Sequence, residues 1–176
     1  TSIGNSTECY GNSSLAIGPG SVVYGDTNVV IGSGSSVAIT ASGSVGVSVI
    51  GLSNQVLNLS SNSTILGVVN SCDTSQNTTL IGRQNTATNL SDAIIIGRGN
   101  NIANNSQCLS IGQNTLTNNA AMTIGYGSSA TAFGGIVVGN SSGATAAGAL
   151  TLGNSSVTSG VNSVSIGLGN NITNNY

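Results

Sequence analysis

Charge is nearly absent from this chain. Of its 176 residues only six carry a formal charge, two Arg and four Asp or Glu, and there is no Lys, His or Trp. Two arginines cannot neutralise a run of phosphates, so we expect no nucleic-acid partner, and no electrostatic anchor on an anionic membrane. Without His or Lys the usual groups for general acid–base catalysis are missing, and we expect neither enzymatic activity nor a cofactor or metal.

Long hydrophobic runs are missing as well. The longest apolar run extends only from Ala93 to Ile96, whereas a membrane-spanning helix needs about 20 apolar residues. We therefore expect no membrane insertion by this segment, and no signal peptide is visible. The chain is nevertheless 38% hydrophobic and has a formal net charge of only -2, which favours a folded chain over a disordered one. Its length suits a single domain over 1–176.

A short phrase, apolar-x-apolar-Gly, recurs twelve times at intervals of 13 to 19 residues. Its copies begin at Thr1, Leu15, Val29, Ser48, Thr64, Thr79, Ile94, Leu109, Met122, Ile136, Leu150 and Val164. So short a period is typical of one coil of a solenoid. The sequence predicts an all-β, parallel β-solenoid of about twelve coils, with irregular and longer coils at about 29–108.

Counting each coil from the first residue of its phrase defines positions within the repeat. Because strand side chains alternate between faces, we expect positions 1 and 3 to point inward, with position 9 from a second strand. The predicted core ladder at position 3 is Ile3, Ile17, Ile31, Ile50, Leu66, Ile81, Ile96, Ile111, Ile124, Val138, Leu152 and Ile166.

Position 4 is Gly in every coil and position 7 is always Asn, Ser or Thr. Gly permits a backbone conformation closed to other residues, or a close approach of the next coil. A small polar side chain can bond to the nearby backbone and fix a turn. The predicted turn glycines are Gly4, Gly18, Gly32, Gly51, Gly67, Gly82, Gly97, Gly112, Gly125, Gly139, Gly153 and Gly167.

The segment from Leu15 to Gly25, LAIGPGSVVYG, resembles the head-domain repeat of YadA-like trimeric autotransporter adhesins. That repeat reads roughly Ser-Val-Ala-Ile-Gly-x-x-Ser-x-Ala-x-Gly, and the other coils match it more loosely. The resemblance implies a left-handed parallel β-roll, three of which associate side by side. In that family the head binds extracellular-matrix components or other cells, and related rolls occur in phage and viral fibres.

Position 2 should then face away from the coil's own core, yet it is apolar in several coils. Strands that are apolar on both faces are buried on both faces, and an exposed apolar band would be a large sticky patch. We therefore expect a homo-oligomer, with a trimer as the natural arrangement. The predicted interface residues are Val30, Val49, Ile65, Leu80, Ile95 and Val137.

The first and last coils look like ordinary coils. Because uncapped strand edges template further pairing, end-to-end growth into a filament is one expectation, and neighbouring domains are the other.

Coil 3, which starts at Val29, carries about five extra residues, and we expect a loop within Ser42 to Val47.

Few side chains suggest a binding site. Cys9, Cys72 and Cys108 are expected to be small buried hydrophobes rather than a disulfide pair. Tyr10 and Tyr24 share position 10 and should stack, which suits packing or the binding of a sugar ring or a partner.

Two arginines, Arg83 and Arg98, share position 5 and fall in the same stretch of coils as Asp73 and Asp92. A surface ion pair is the favoured interpretation, and an anion or sugar-acid site is the alternative.

Ten Asn-x-Ser/Thr sequons are possible glycosylation sites. They begin at Asn5, Asn12, Asn58, Asn62, Asn77, Asn89, Asn104, Asn140, Asn154 and Asn171.

The sequence as a whole favours a non-enzymatic structural protein that forms part of an extracellular fibre or filament on a cell or virion surface. A ligand-binding head of a trimeric adhesin, with a host surface, matrix receptor or glycan as partner, is the main alternative. An ice-binding solenoid is less favoured, because threonine is spread over several positions of the coil.

Overall fold

The protein is an all-β, parallel β-solenoid of about eleven turns in a computed structural model. The structure describes residues 1–37, 45–58, 60–118 and 120–173, except for the side chains of 105 and 106. These residues form two compact units, Thr1–Ser91 and Asp92–Tyr176. Within the described ranges no helix occurs that could cross a membrane. The single domain over 1–176 remains a prediction.

Unit 1 contains twelve short strands in two parallel sheets. The strands are β1 Ser2–Ile3, β2 Glu8–Cys9, β3 Leu15–Ile17, β4 Val22–Val23, β5 Val29–Ile31, β6 Ser36–Val37, β7 Ser48–Leu52, β8 Gln55–Leu57, β9 Thr64–Val68, β10 Ser71–Asp73, β11 Thr79–Arg83 and β12 Thr86–Ser91. The order of the strands is β1-β3-β5-β7-β9-β11 in one sheet and β12-β10-β8-β6-β4-β2 in the other.

Unit 2 repeats this plan. Its strands are β13 Ile94–Arg98, β14 Asn101–Ser106, β15 Leu109–Gln113, β16 Leu116–Thr117, β17 Met122–Tyr126, β18 Ser129–Ala130, β19 Ile136–Asn140, β20 Gly143–Ala144, β21 Leu150–Asn154, β22 Val157–Thr158, β23 Val164–Leu168 and β24 Asn171–Ile172. The long strands are ordered β13-β15-β17-β19-β21-β23, and the short strands are ordered β16-β18-β20-β22-β24. Equivalent positions pair in register, as Gly139 does with Gly153.

The predicted core ladder is wrong, because position 3 lies on the outer face of the first strand of each coil. Positions 1 and 3 do share a face, but it is the face away from the interior. None of the twelve predicted core side chains is buried. Five are exposed, namely Ile3, Ile31, Ile50, Val138 and Ile166. Seven are half-buried, namely Ile17, Leu66, Ile81, Ile96, Ile111, Ile124 and Leu152.

The predicted interface residues are wrong for the same reason. Position 2 points into the coil, and its side chains have no solvent exposure in the isolated chain. This applies to Val30, Val49, Ile65, Leu80, Ile95 and Val137. Position 9 faces position 2 across the interior, and the expectation that it points inward is confirmed by Val23, Val56 and Ala130, which are fully buried.

The inversion follows from the small volume inside each coil. That interior is shared by the side chains of position 2, position 7, position 9 and the last position of the coil. The bulky residues of positions 1 and 3 would therefore not fit there at native packing density. Position 2 ranges in size from Ser110 to Ile95, and these residues are buried alike. Alternation alone could not reveal this, because in unit 1 the first strand is mostly apolar on both faces, and in unit 2 the inner position is often polar, as at Ser110 and Ser165.

The glycines of position 4 bend the first strand rather than close a turn. All twelve have positive φ, between 117° and 156°, and in coils 4 to 12 they lie inside a strand. An added Cβ at Gly97 would lie 1.8 Å from the carbonyl oxygen of Gly112, and in nine coils this distance is 1.6 to 1.9 Å. Both the backbone conformation and the approach of the next coil therefore require Gly.

Position 7 links successive coils by side-chain hydrogen bonds. The Asn70 Nδ2 donates to the carbonyl of Gly82 in the next coil at 2.9 Å, and its Oδ1 accepts from the backbone N–H of Asn85 at 3.0 Å. Ser142 makes the equivalent bonds to Gly153 and Ser156 in unit 2. In these coils position 7 satisfies one carbonyl and one N–H of the next coil, which suits Asn, Ser or Thr. Thr115 differs, because its hydroxyl bonds to Asn100 Oδ1 of the preceding coil and to Ser110.

The longer coils 4 to 6 contain an additional buried position. Ser60, Ser75 and Leu90 are buried there, and the Oγ of each serine accepts the backbone N–H of the next residue in this row at 3.1 Å. The added residues thus widen the interior of these coils. In coil 3, half of the loop expected within Ser42 to Val47 cannot be compared, since 42–44 lie outside the described residues.

Candidate functional site

The outer face of the long-strand sheet is one candidate surface in each unit. Positions 1 and 3 supply two parallel rows of side chains on that face. In unit 2 all twelve of these residues are Ile, Leu, Met or Val, whereas in unit 1 position 1 includes Thr1, Ser48, Thr64 and Thr79. The face carries no charged side chain at these two positions in either unit.

A shallow groove of about 370 Å³ runs beside this face in unit 2. Its floor includes four residues of position 1, namely Ile94, Leu109, Met122 and Ile136. Cys108 and Ala121 contribute a small, buried lining, and Asp92 and Gln107 lie at the rim. The groove is therefore a mainly apolar extension of the outer face.

Two tyrosines form a stack on the outer side of the short-strand sheet of unit 1. The rings of Tyr10 and Tyr24 lie 4.8 Å apart and are nearly parallel, at 11°, which confirms the predicted stacking. The Tyr10 hydroxyl donates to Glu8 Oε2 at 3.1 Å, and this bond, with the negative charge of Glu8, raises the pKa of Tyr10. A stack with one exposed ring and one carboxylate could contact a sugar or a protein.

The three cysteines are free thiols. Cys72 and Cys108 are buried, as predicted, whereas Cys9 is half-buried. Burial raises the pKa of the Cys72 and Cys108 thiols. Reactive cysteines have a lowered pKa and some exposure, so these two side chains serve as packing groups.

The charged residues of coils 5 to 7 stay near the surface. Arg83 and Arg98 are exposed, and so is Asp92. The Asp73 carboxylate accepts hydrogen bonds from Asn58 and from the Thr74 hydroxyl. The suggested anion site at the arginines remains a prediction. Among the described residues no group of three or more His, Cys, Asp or Glu could hold a metal ion.

The asparagines of all ten sequons are exposed. In several sequons, however, the residue that supplies the hydroxyl group is buried inside the coil. Examples are the sequon of Asn154, which ends in Ser156, and the sequon of Asn12, which ends in Ser14. Ser156 donates to the Gly167 carbonyl at 2.8 Å, and Ser14 to the Gly25 carbonyl at 2.9 Å. Some of the sequons therefore follow from an exposed Asn placed two residues before a buried serine that bonds to the next coil. Glycosylation itself remains a prediction.

Sequence reasoning missed one row of hydroxyls in unit 2. Thr131, Thr145, Ser159 and Thr173 all occupy position 10, on the outer side of the short-strand sheet. The Thr145 hydroxyl donates to Ser159 Oγ at 2.9 Å. The signal was present in the sequence as a fourteen-residue spacing between these four residues.

No protein-family model matches the chain, and no curated protein matches its sequence. The resemblance to YadA-like head repeats therefore remains a prediction.

Proposed function

We propose that the chain is a non-enzymatic structural protein that forms a segment or subunit of an extracellular fibre or filament on a cell or virion surface. The observation that carries the proposal is the row of buried side chains at position 7, which ties each coil of a unit to the next. Solenoids of this kind are quasi-one-dimensional, and neighbouring repeats stabilise one another.

The chemistry of the polar side chains supports this proposal. Asn54, Asn70 and Ser142 are buried, and their hydrogen bonds run to backbone groups or side chains of neighbouring coils. The polar residues of the interior thus hold the coils together. A left-handed roll and a trimer of side-by-side copies are part of the proposal, and they follow from the YadA-like resemblance.

Negative-stain microscopy of native material tests this function. Continuous fibres or filaments of uniform width are the expected result. Stalked heads that resemble lollipops would favour the alternative, an adhesin head, and dispersed particles without any fibre would contradict the fibre proposal.

An adhesin head is favoured by one specific observation, the stack of Tyr10 on Tyr24 beside Glu8. A glycan array probed with the wild-type chain and with Tyr10→Ala would test it. Loss of a glycan signal in the variant alone supports the head, and equal signals from both proteins contradict a role for the stack.

The row of hydroxyls at position 10 favours a third candidate, an ice-binding surface, although the Thr145 hydroxyl is already bonded to Ser159. Thermal hysteresis of the purified chain tests this candidate, and its absence would dismiss it.

A further inference from the structure

The register of two short strands brings Tyr10 and Tyr24 together. Strands β2 and β4 are parallel and Cys9 pairs with Val23, so the tyrosines that follow these residues lie one above the other. Neighbouring strands are about 4.8 Å apart, and the two ring centroids are also 4.8 Å apart, with an interplanar angle of 11°. The repeat therefore holds two phenol rings face to face in adjacent coils.

This stack lies at the surface of unit 1. Side chains alternate between the two faces of a strand, so Glu8 and Tyr10 point outward while Cys9 between them points into the coil. Tyr10 is 63% exposed, whereas Tyr24 is half-buried. A reagent in solution can thus reach the Tyr10 ring, which has room to tilt against a partner that is held by packing.

The carboxylate of Glu8 gives the Tyr10 phenol a proton acceptor. The Tyr10 hydroxyl donates to Glu8 Oε2 at 3.1 Å. This bond and the charge of Glu8 raise the pKa of Tyr10, so the phenol keeps its proton at neutral pH. A phenol that loses an electron must also release that proton, and a carboxylate already bonded to the hydroxyl can accept it as a general base does. Tyr10 is therefore prepared for one-electron oxidation.

From this arrangement we propose that Tyr10 and Tyr24 form a site of oxidative cross-linking, at which a haem peroxidase that uses hydrogen peroxide joins the two rings as dityrosine. Each phenol loses one electron and one proton, and Glu8 accepts the proton of Tyr10. The two radicals couple through a new carbon–carbon bond between ring carbons next to the hydroxyl-bearing carbons. The hydrogens of the coupled carbons then leave as protons, and the two oxygens are protonated again. One hydrogen peroxide takes up the two electrons and two protons and becomes two waters.

The new bond joins coil 1 to coil 2 covalently. In the protein without the cross-link, backbone hydrogen bonds connect these coils, as from the Tyr10 N–H to the Val23 carbonyl at 2.9 Å. All three cysteines are free thiols, so the tyrosines supply a covalent link that no disulfide provides. A bond that closes a loop restricts the unfolded chain, as a disulfide does, and the cross-linked protein should unfold at a higher urea concentration. This inference does not depend on the proposed fibre function.

Tyrosine-to-phenylalanine variants of the full chain test the site. Tyr10→Phe keeps a ring of the same shape in the stack but removes the phenol that is oxidised, and it also keeps an aromatic face for a sugar, so its effect is independent of glycan binding. The matched control Tyr126→Phe removes a tyrosine of unit 2 that is 52% exposed and leaves the stack intact. Circular dichroism verifies that both variants keep their β structure.

All proteins are treated with a haem peroxidase and hydrogen peroxide, and dityrosine fluorescence is followed. We expect the wild type and Tyr126→Phe to form dityrosine within single chains, at a rate per chain that does not change with protein concentration. Mass spectrometry of a peptic digest should show peptides of Tyr10 and Tyr24 joined with the loss of two hydrogens. Tyr10→Phe should lose this product. Glu8→Gln should form it about tenfold more slowly, less than the usual effect of a general base because water also accepts protons at an exposed site.

Three results would overturn the proposal. They are a folded wild type that forms no dityrosine, one that forms it only between chains as covalent dimers, and an equal yield of the product within single chains from Tyr10→Phe. An unchanged rate in Glu8→Gln would refute the role assigned to the carboxylate.

Discussion

Replacing Asn70 by Asp removes two hydrogen-bond donors from a buried row while hardly changing the shape of the side chain. In the wild type, Asn70 Nδ2 donates to Asn54 Oδ1 at 3.0 Å and to the Gly82 carbonyl at 2.9 Å. A carboxylate at the same place would put negative oxygens against these two acceptors. The Gly82 carbonyl would lose its donor, which costs about 1–3 kcal/mol, whereas Asn54 Oδ1 would still accept the backbone N–H of residue 70 at 3.0 Å.

Ionisation adds a term that depends on pH. Burial would raise the pKa of the new carboxyl in the folded state above its unfolded value of about 3.9. The neutral acid is favoured by folding, so this penalty is absent below the unfolded pKa and grows as pH rises towards the folded pKa. Between about pH 3 and pH 7 it can reach about 4 kcal/mol, at 1.36 kcal/mol for each pKa unit. At the lower pH one O–H donor also restores one of the lost bonds.

Urea denaturation gives the free energies of unfolding of the wild type, Asn70→Asp and Asn62→Asp at about pH 3 and pH 7. These values measure both the cost of the lost hydrogen bonds and the pH-dependent cost of ionisation. Asn62 is exposed, so its replacement introduces the same charge and should change stability by less than about 0.5 kcal/mol. We expect Asn70→Asp to be strongly destabilised at pH 7 and partly recovered at pH 3. Equal losses in the two variants at pH 7, or a larger loss for Asn70→Asp at pH 3, would refute the account of the row.

Three further outcomes are expected. Gly97→Ala should destabilise the fold by about 2–6 kcal/mol, because strained φ costs about 1–3 kcal/mol and the clash with the next coil costs at least as much. The control Gly169→Ala should cost only about 1–2 kcal/mol, since Gly169 has φ +68° and no atom lies within 4 Å of the added Cβ. Equal shifts in the urea midpoint of the two variants would contradict the close approach at Gly97. The Cys72 thiol should react with a thiol reagent at neutral pH only after unfolding, since burial raises its pKa; rapid labelling of the native protein, located by peptide mass spectrometry, would contradict that burial. Glu8→Gln should lower the pKa of Tyr10 towards its ordinary value, because the carboxylate is the main cause of the rise; an unchanged tyrosinate absorbance titration would show that the bond to Glu8 is not formed in solution.

The repeat could be predicted without a structure, because the phrase with Gly at its fourth place recurs whatever the fold around it. A period of 13 to 19 residues is long enough for one β coil and too short for a helical repeat, so the solenoid, its register and the stacking of Tyr10 on Tyr24 could all be predicted. The polar residues of position 7 were also recognised, since their small size and hydrogen-bonding groups are visible in the sequence.

Which face of the first strand is inside could not be predicted, because it depends on the packing of the whole coil. Alternation separates residues into two sets, but it identifies the inner set only when the other set is polar. Here both sets include apolar residues, and the larger ones, such as Ile96 and Ile166, lie on the outer set. The narrow interior of each coil holds the residues of position 2, together with those of positions 7 and 9, and leaves no room for positions 1 and 3. That selection depends on the volume enclosed between two sheets, a quantity that no pattern along a single strand records.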